Sequence, residues 1–355
     1  MGPRERLGWS DFFREQIARD VPPPLVARIT EEHRGAYRVA GDFGGWAEVS
    51  GRFRHDARAV ATFPAVGDWV CLAAPVGSER AVITRCLDRR SAISRKAAGR
   101  AVEEQVLAAN VDTIFLVTAL AEDLNPRRLE RYLTVVREGG AVPVVVLNKT
   151  DLSDDPGGQA AVVRARLPFV DVLAVSAATG DGLGALGPYL SPARTVALIG
   201  SSGVGKSTLV NRLLGRELLK TAMISETDGK GRHTTTARHL VELPGGALLI
   251  DTPGMREMLP WVEEGAVADT FGDIAALADA CRFGNCAHQT EPGCAVRAAV
   301  ARGELSGERL DHFRQLGREV AFEERKRDKS AAAAEKRRWK KIHQATRALY
   351  RDRNR

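Results

Sequence analysis

Short, uninterrupted apolar runs recur through the middle of the chain and predict buried strands. They span residues 142–147, 172–175, 195–200 and 247–250. Strands that are apolar on both faces are typical of parallel sheets covered by helices on each side. The central part of the chain is therefore predicted to be an open α/β domain. Its ligand-contacting residues are expected at the carboxyl ends of these strands.

Shorter strand-like runs follow one another closely between residue 25 and about residue 90, with turn signals at 31–35, 41–45 and 64–68. About five strands in about 65 residues predict a small β-barrel of the oligonucleotide-binding type. Its arginines and aromatic residues could contact RNA by charge and stacking. A solvated arginine surface around a barrel core explains the same residues equally well. The residues concerned are Arg28, Arg34, Arg38, Arg52, Arg54 and Arg58, with Phe43, Trp46 and Phe53.

The first 28 residues are predicted to be an N-terminal tail, and they lack the unbroken apolar segment of a signal peptide. No run of eighteen apolar residues exists, so we expect no membrane partner. Five cysteines in 355 residues do not make a disulfide framework. Cysteines of this kind indicate a reducing compartment, and the expected location is the cytoplasm.

The segment 200–207 reads Gly-Ser-Ser-Gly-Val-Gly-Lys-Ser, which fits the phosphate-loop pattern between a predicted strand and a predicted helix. Glycines let consecutive N–H groups turn toward phosphate oxygens, and the helix N-terminus favours an anion. Lys206 is expected to reach the β- and γ-phosphates, and Ser207 to hold Mg²⁺. The predicted contacts are Gly200, Ser201, Ser202, Gly203, Val204, Gly205, Lys206, Ser207 and Thr208.

A four-residue motif, Asn-Lys-Thr-Asp, ends the apolar run 142–147 and predicts guanine recognition. The carboxylate of Asp151 can accept two N–H bonds from a guanine edge, which adenine does not offer, so an ATPase or kinase is disfavoured. Asn148 is expected to bridge the base and the phosphate loop, and the N–H of Ala177 to contact the guanine oxygen. The predicted base contacts are Asn148, Lys149, Thr150, Asp151, Ser176 and Ala177.

Two further segments carry the pattern of nucleotide-dependent switches. Asp251 and Gly254 begin and end Asp-Thr-Pro-Gly, and they are expected to bind Mg²⁺ through water and to sense the γ-phosphate. Residues 221–236 are expected to order on the γ-phosphate and Mg²⁺. One of Thr234 to Thr236 should supply a further Mg²⁺ ligand, and Thr235 is the assigned residue.

Residue 255 is a methionine, where many small GTPases carry the glutamine that orients the attacking water. A thioether cannot orient water in this way. His233 is the nearest titratable candidate for that role, although a solvated loop histidine is an equal alternative on residue chemistry alone. We therefore expect slow intrinsic hydrolysis that a partner accelerates.

Three cysteines and one histidine lie within fourteen residues and predict a structural metal site. They are Cys281, Cys286, His288 and Cys294. Three thiolates and an imidazole complete a closed tetrahedral shell, which is the structural type of zinc site. The competing interpretation is a set of unconnected cysteines in a reducing compartment. We expect one structural zinc ion per chain.

The positive charge of the chain is concentrated at its end. Residues 318–355 contain 14 Lys and Arg against 6 Asp and Glu, a net of +8, whereas the whole chain is +7. Helix-forming residues predominate there, so a basic helix is predicted. Two interpretations fit this helix: an RNA-contacting arm, attracted to phosphate through counterion release, and a helix packed on the body of the protein.

The base-reading motifs precede the phosphate loop by about fifty residues, which is a rotated order. With this order over residues 110–260, the chain resembles the circularly permuted bacterial GTPases that depend on the small ribosomal subunit and act late in its assembly. The segment 231–236, Gly-Arg-His-Thr-Thr-Thr, matches the switch motif of that family. The resemblance implies a role for His233 in hydrolysis, contact of the barrel with ribosomal RNA, and zinc on Cys281, Cys286, His288 and Cys294.

These inferences together predict a multi-domain protein: a small N-terminal barrel, a central permuted α/β GTPase domain and a helical zinc module. The expected function is hydrolysis of GTP to GDP and phosphate, stimulated by the small ribosomal subunit, with His233 and Lys206 as catalytic residues and a monomeric chain. The alternative is a non-catalytic RNA-binding scaffold gated by GTP. The predicted segments are a tail (1–28), barrel (29–100), GTPase domain (101–262), zinc module (263–317) and basic tail (318–355).

Overall fold

The structure is a computed structural model, which describes residues 2–33, 35–56, 60–73, 79–96, 104–120, 124–215, 238–251 and 270–321. The chain divides into two compact units, one of Met1–Arg95 with Glu104–Pro260, the other of Lys96–Glu103 with Trp261–Arg355. The predicted switch residues His233, Thr234, Thr235, Thr236 and Gly254, with Met255, lie outside the described residues. So does the basic tail beyond residue 321.

Five strands near the N-terminus close into a small barrel, which confirms the predicted architecture. They are β1 (Leu25–His33), β2 (Ala36–Gly41), β3 (Gly45–Val49), β4 (Trp69–Ala73) and β5 (Arg80–Cys86). Their order is β1-β2-β3-β5-β4, and β4 returns to pair with β1. The β3–β5 pair is parallel, and the other pairs are antiparallel. A short helix, α3 (Gly51–Asp56), follows β3.

The segment expected to be an N-terminal tail packs on the barrel instead. Two short helices, α1 (Pro3–Arg6) and α2 (Asp11–Glu15), bring Trp9 and Phe13 against Trp69 of β4. Phe13 is only 1% exposed. Burial of three large aromatic side chains is worth several kcal/mol, which explains why these residues do not remain in solvent.

The central domain is a mostly parallel sheet with the order β10-β9-β8-β11-β13-β12. Its strands are β8 (Thr113–Ala119), β9 (Val142–Asn148), β10 (Asp171–Ala174), β11 (Thr195–Ile199), β12 (His239–Glu242) and β13 (Leu248–Asp251). Only β12 runs antiparallel to its neighbour β13. The predicted apolar runs become β9, β10, β11 and β13, and every residue of β8 and β11 is buried. A separate pair, β6 (Ala92–Lys96) and β7 (Glu104–Ala109), precedes the sheet.

Three helices of this domain are α4 (Pro126–Glu138), α5 (Pro156–Arg166) and α6 (Lys206–Leu214). The first two begin with a polar cap followed by proline. Asn125 accepts a hydrogen bond from the N–H of Arg128, and Asp155 accepts one from the N–H of Gly158. Such caps satisfy N–H groups that have no partner within the helix, and proline suits the first helical position. The sequence therefore fixes where these helices start.

The barrel and the central sheet are joined into one eleven-stranded sheet. Strand β1 of the barrel pairs antiparallel with β12 at Glu31 and His239. Arg238, just ahead of β12, donates to Glu32 of β1 at 2.8 Å. Barrel and GTPase sheet are therefore parts of the same folded unit rather than separate bodies.

Arg28 of β1 is not available to RNA, which corrects the sequence-based interpretation of this residue. It is 1% exposed and donates to four acceptors: the carbonyl oxygens of Leu7, Gly67 and Asn110, and the hydroxyl of Thr195. Burial lowers the pKa of Arg28 to about 10, so the guanidinium keeps its charge at neutral pH. Its partners connect the N-terminal segment, the barrel and the first residue of β11.

At Gly67 the backbone passes close to Ala109 and presents its carbonyl oxygen to Arg28. Gly67 has a φ of +94°, a left-handed value that favours glycine. A Cβ atom at this position would lie 2.1 Å from the carbonyl oxygen of Ala109. The Gly67 carbonyl accepts from Arg28 and from the side chain of Asn110, at 2.9 and 3.1 Å.

The second unit contains three described helices, α7 (Gly272–Ala278), α8 (Ala295–Ala301) and α9 (residues 307–321). Arg309 makes a bidentate pair with Asp273, at 2.6 and 2.8 Å, and so ties α9 to α7. Helix α9 continues past Gly317, and Val320 is buried. No helix among the described residues is long and apolar enough to cross a bilayer.

Replacing Arg28 with alanine should destabilise the first unit by roughly 3 kcal/mol, because several buried acceptors lose their donors together. Equilibrium unfolding in urea measures this. Arg28→Lys should be intermediate, since an ammonium offers three donors rather than five. Arg38→Ala, on the exposed face of the neighbouring strand β2, is the matched control and should change stability by less than about 0.5 kcal/mol. Equal midpoints for Arg28→Ala and Arg38→Ala would contradict this account.

Candidate guanine-nucleotide site and metal centre

The phosphate loop connects the end of β11 to the start of α6, as the sequence predicts. Helix α6 begins at Lys206, directly after Gly205. The Lys206 ammonium turns back over the loop and donates to the carbonyl oxygens of Gly200, at 2.7 Å, and of Ser201. A cation and a helix N-terminus therefore lie at the same loop. This is the arrangement that attracts phosphate.

The buried amide of Asn148, at the end of β9, bridges the two halves of the site. Its Nδ2 donates to the carbonyl of Val204 in the phosphate loop at 2.8 Å, and its Oδ1 accepts from the N–H of Ala177 at 2.9 Å. Gly205 accommodates this contact, since a Cβ there would lie 2.3 Å from Nδ2. Asn148 therefore contacts the phosphate loop, and its contact with the base stays a prediction.

Asp151 and Ser176 are brought together although they are 25 residues apart. The hydroxyl of Ser176 donates to Asp151 Oδ1 at 2.5 Å and also accepts from the N–H of Thr179. Ser176 binds only one oxygen of the carboxylate, Oδ1, and not Oδ2. Lys149 and Thr150 lie between Asn148 and Asp151, and Lys149 adopts a left-handed backbone with φ +62°. A carboxylate held by a neighbouring hydroxyl is oriented for recognition of N–H groups.

The loop after β10, residues 176–182, is closed on itself. The N–H of Ser176 donates to the carbonyl of Asp181, and the N–H of Gly180 donates to the carbonyl of Ser176. The N–H of Ala177, which we expected to contact the guanine oxygen, here donates to Asn148. Arg212 of α6 contacts two carbonyl groups of this loop. Sequence patterns did not single out Arg212, because it belongs to none of the nucleotide-binding motifs.

Asp251 is the last residue of β13, and β13 lies beside β11 in parallel register. The carboxyl ends of parallel strands meet at one edge of a sheet, so Asp251 and the phosphate loop are on the same edge. Ser207 lies in the first turn of α6. A serine hydroxyl and a carboxylate are oxygen ligands of the kind that Mg²⁺ prefers.

The fold and this site define a P-loop GTPase whose motifs are circularly permuted: base-reading residues precede the phosphate loop in the chain and meet it across the sheet. The family model for the RsgA GTPase matches residues 86–261. The chain is 50% identical over 357 residues to "Small ribosomal subunit biogenesis GTPase RsgA" of Opitutus terrae, with 96% of each chain covered. It belongs to the RsgA GTPase family.

Other relatives and solved structures agree with this assignment. A Vibrio parahaemolyticus protein, "Small ribosomal subunit biogenesis GTPase RsgA 2", is 45% identical over 321 residues, covering 90% of this chain and 86% of its own. The crystal structure of YjeQ from Thermotoga maritima has a TM-score of 0.63 at 24% identity, covering 84% and 98%, and shows the fold. YloQ, described as a circularly permuted GTPase, has a TM-score of 0.61 at 25% identity, covering 85% and 96%.

The cysteines and the histidine of the second unit converge on one point. The ligand atoms of Cys281, Cys286, His288 and Cys294 all lie within 4.8 Å of one another. His288 Nδ1 is 3.4 Å from the sulfur of Cys294 and 3.6 Å from that of Cys281. Burial lowers the pKa of His288, which favours the neutral imidazole that a metal requires. The cluster could therefore hold a metal ion.

The loop around the cluster is held by Glu291, an acidic residue that sequence reasoning did not consider. Its carboxylate accepts from the N–H groups of Ala287, Gln289 and Thr290, at 2.9, 2.7 and 3.0 Å. Hydrogen bonds from backbone N–H groups lower the pKa of Glu291 to about 2. The Cys294 sulfur also caps α8 by accepting from the N–H of Arg297. Glu291 thus holds the backbone on both sides of His288, and the cap of α8 holds Cys294. These two candidate ligands are therefore fixed by backbone contacts.

Asp151→Asn should weaken GTP binding and improve binding of xanthosine triphosphate, because the amide replaces one acceptor with a donor. Competition against a fluorescent guanine nucleotide measures both affinities. Asp155→Asn is the matched control, because Asp155 caps α5 outside the base-reading residues. The assignment of Asp151 fails if Asp151→Asn keeps the wild-type preference for GTP over xanthosine triphosphate.

Proposed function

We propose that this GTPase binds the small ribosomal subunit and hydrolyses GTP to GDP and phosphate late in the assembly of that subunit. The observation that carries the proposal is the guanine site joined through Asn148, in a chain 50% identical to a protein named as a small ribosomal subunit biogenesis GTPase. The chain is proposed to act as a cytoplasmic monomer that exchanges GDP for GTP and is stimulated by the subunit.

Phosphate binding and charge neutralisation are assigned to the phosphate loop. Residues 200–208 contribute backbone N–H groups around the phosphates, and Lys206 exchanges its two carbonyl acceptors for phosphate oxygens. Ser207, Asp251 and Thr235 are proposed to hold Mg²⁺, which neutralises charge between the β- and γ-phosphates. The N–H of Gly254 is proposed to sense the γ-phosphate.

Activation of water is assigned to His233, because Met255 cannot orient a water molecule. An imidazole is the side chain best suited to accept or relay a proton at neutral pH. Because Met255 cannot orient water, a second candidate function is an RNA-binding scaffold that GTP binding gates without turnover. Multiple turnover in the presence of subunits separates the two.

Ribosomal RNA is the proposed partner of the barrel. Arg38 and Trp46 lie side by side on β2 and β3, with the Arg38 guanidinium carbon 5.9 Å from the Trp46 ring centroid. The His33 ring lies 5.1 Å from the same indole, in an edge-to-face arrangement. Cationic and aromatic groups on one surface suit phosphate contact and base stacking. Arg52 and Arg54 are exposed on α3 and add charge to the barrel.

Lys206→Ala and Ser207→Ala should each lower subunit-stimulated GTP turnover by about 100-fold or more, by removing phosphate and Mg²⁺ contacts. His233→Ala should keep GTP affinity within about twofold and still lose stimulated turnover, because it acts on water. Phosphate release with and without purified small subunits measures these effects. His239→Ala is the matched control and should turn over normally.

Two outcomes of that experiment would count against the proposal. If wild-type protein binds GTP and subunits without multiple turnover, the scaffold function replaces the enzymatic one. If His233→Ala turns over like His239→Ala, the proton-transfer role belongs to another residue.

We also propose that the metal centre holds one structural zinc ion per chain, since three thiolates and an imidazole match zinc. Cys294→Ser should lose the metal while a serine still caps α8, so metal loss is separated from cap loss. Local unfolding of the second unit should follow, with GTP affinity unchanged. Cys86→Ser, outside the cluster, should retain zinc. Elemental analysis of protein purified without chelators decides this, and wild-type protein without zinc would refute it.

A further inference from the structure

Arg212 connects the helix of the phosphate loop to the loop that follows β10. It lies in the last turn of α6, six residues after Lys206. Its Nε donates to the carbonyl of Ala177 at 3.3 Å, and its Nη2 donates to the carbonyl of Ala178 at 2.5 Å. One side chain therefore binds two consecutive carbonyl groups of the loop after β10 (residues 176–182), the base-reading loop.

Holding these carbonyl groups also fixes the direction of the N–H groups in the same peptide planes. In a trans peptide the C=O of one residue and the N–H of the next point in opposite directions. The Ala177 carbonyl points toward Arg212, so the N–H of Ala178 points away from it. Arg212 thus sets the orientation of that amide.

The amide of Ala178 is the donor that this loop leaves available. The N–H of Ala177 donates to Asn148 Oδ1 and the N–H of Thr179 donates to Ser176 Oγ, at 2.9 and 3.1 Å. Within the described ranges, the N–H of Ala178 has no hydrogen-bond acceptor. This donor lies one residue after Ala177, whose N–H binds Asn148, and an available backbone N–H there suits the 6-oxygen of a guanine base.

We propose that Arg212 is a positioning residue for guanine recognition, orienting the N–H of Ala178 to bind the purine 6-oxygen. This inference rests on the guanine specificity that the proposed function includes. Arg212 is exposed to solvent, so its contribution to overall stability is small. Its planar fork can reach two carbonyl groups with two different nitrogens, which the single ammonium of a lysine does less well.

Three nucleotides separate recognition of the 6-oxygen from other effects. GTP and inosine triphosphate share the 6-oxygen and differ in the 2-amino group assigned to Asp151. The triphosphate of 2-aminopurine riboside keeps the 2-amino group and lacks the 6-oxygen. Their affinities are measured on the full chain by competition against a fluorescent guanine nucleotide.

Arg212→Gln should weaken GTP and inosine triphosphate by the same factor, about five- to tenfold, and change the 2-aminopurine nucleotide by less than about twofold. Arg212→Lys should restore part of the loss. Subunit-stimulated hydrolysis should show a raised KM with kcat unchanged. Arg164→Gln is the matched control, since Arg164 of α5 also donates twice to a carbonyl, that of Val172, away from the base-reading loop.

Arg212 does not position the base-reading loop if GTP affinity is unchanged in Arg212→Gln, or if all three nucleotides weaken equally. Equal weakening would show a general effect on the phosphate loop. If wild-type protein itself fails to prefer GTP over the 2-aminopurine nucleotide, guanine specificity and the proposed function fail first. If wild-type protein discriminates and Arg212→Gln discriminates equally well, only this inference fails.

Discussion

The guanine site depends on one buried amide, that of Asn148. Its donor holds the phosphate loop and its acceptor holds the loop that follows β10, so both halves of the site meet at one side chain. In this permuted chain Asn148 comes 52 positions before Gly200, the first residue of the phosphate loop, and Ser176 comes 24 positions before it. The link between the two halves is therefore made across the sheet, where β8 lies between β9 and β11. A buried amide with both ends satisfied has little freedom to move, which keeps the halves in register.

Strand β11, which leads into the phosphate loop, is also held in place by hydrogen bonds at its first residue. Thr195, the first residue of β11, accepts a hydrogen bond from the buried Arg28 of the barrel and donates its N–H to Asp112. The β1–β12 pairing and the Arg238–Glu32 ion pair join barrel and GTPase sheet a second time. These contacts place the barrel against the strand that follows the predicted switch segment. A barrel held in this way is oriented by the same sheet that carries the nucleotide site.

The sequence predicted the elements whose signal is local. Fully apolar runs became the buried strands, and the motifs at their ends arrived at one edge of the sheet because parallel strands require it. Three features could not be predicted in this way. They are the burial of Arg28, the packing of Trp9 and Phe13 on Trp69, and the contacts of Arg212 with the loop after β10. Each depends on a partner far away in the chain: Thr195 is 167 residues from Arg28, and Ala177 is 35 residues from Arg212. Its charge alone assigns Arg28 to the surface, because most arginines are there.

The central claim, that Asn148 joins base recognition to phosphate recognition, can be tested with a ligand that has no base. Magnesium tripolyphosphate can contact the phosphate loop but offers nothing to Asp151 or to the loop after β10. The account predicts that Asn148→Ala weakens tripolyphosphate as well as GTP, because the carbonyl of Val204 loses its buried donor and the phosphate loop loosens. Competition titrations on wild-type and Asn148→Ala protein measure both affinities. A variant that binds tripolyphosphate as tightly as wild-type protein while losing GTP would contradict the account, since Asn148 would then serve the base alone.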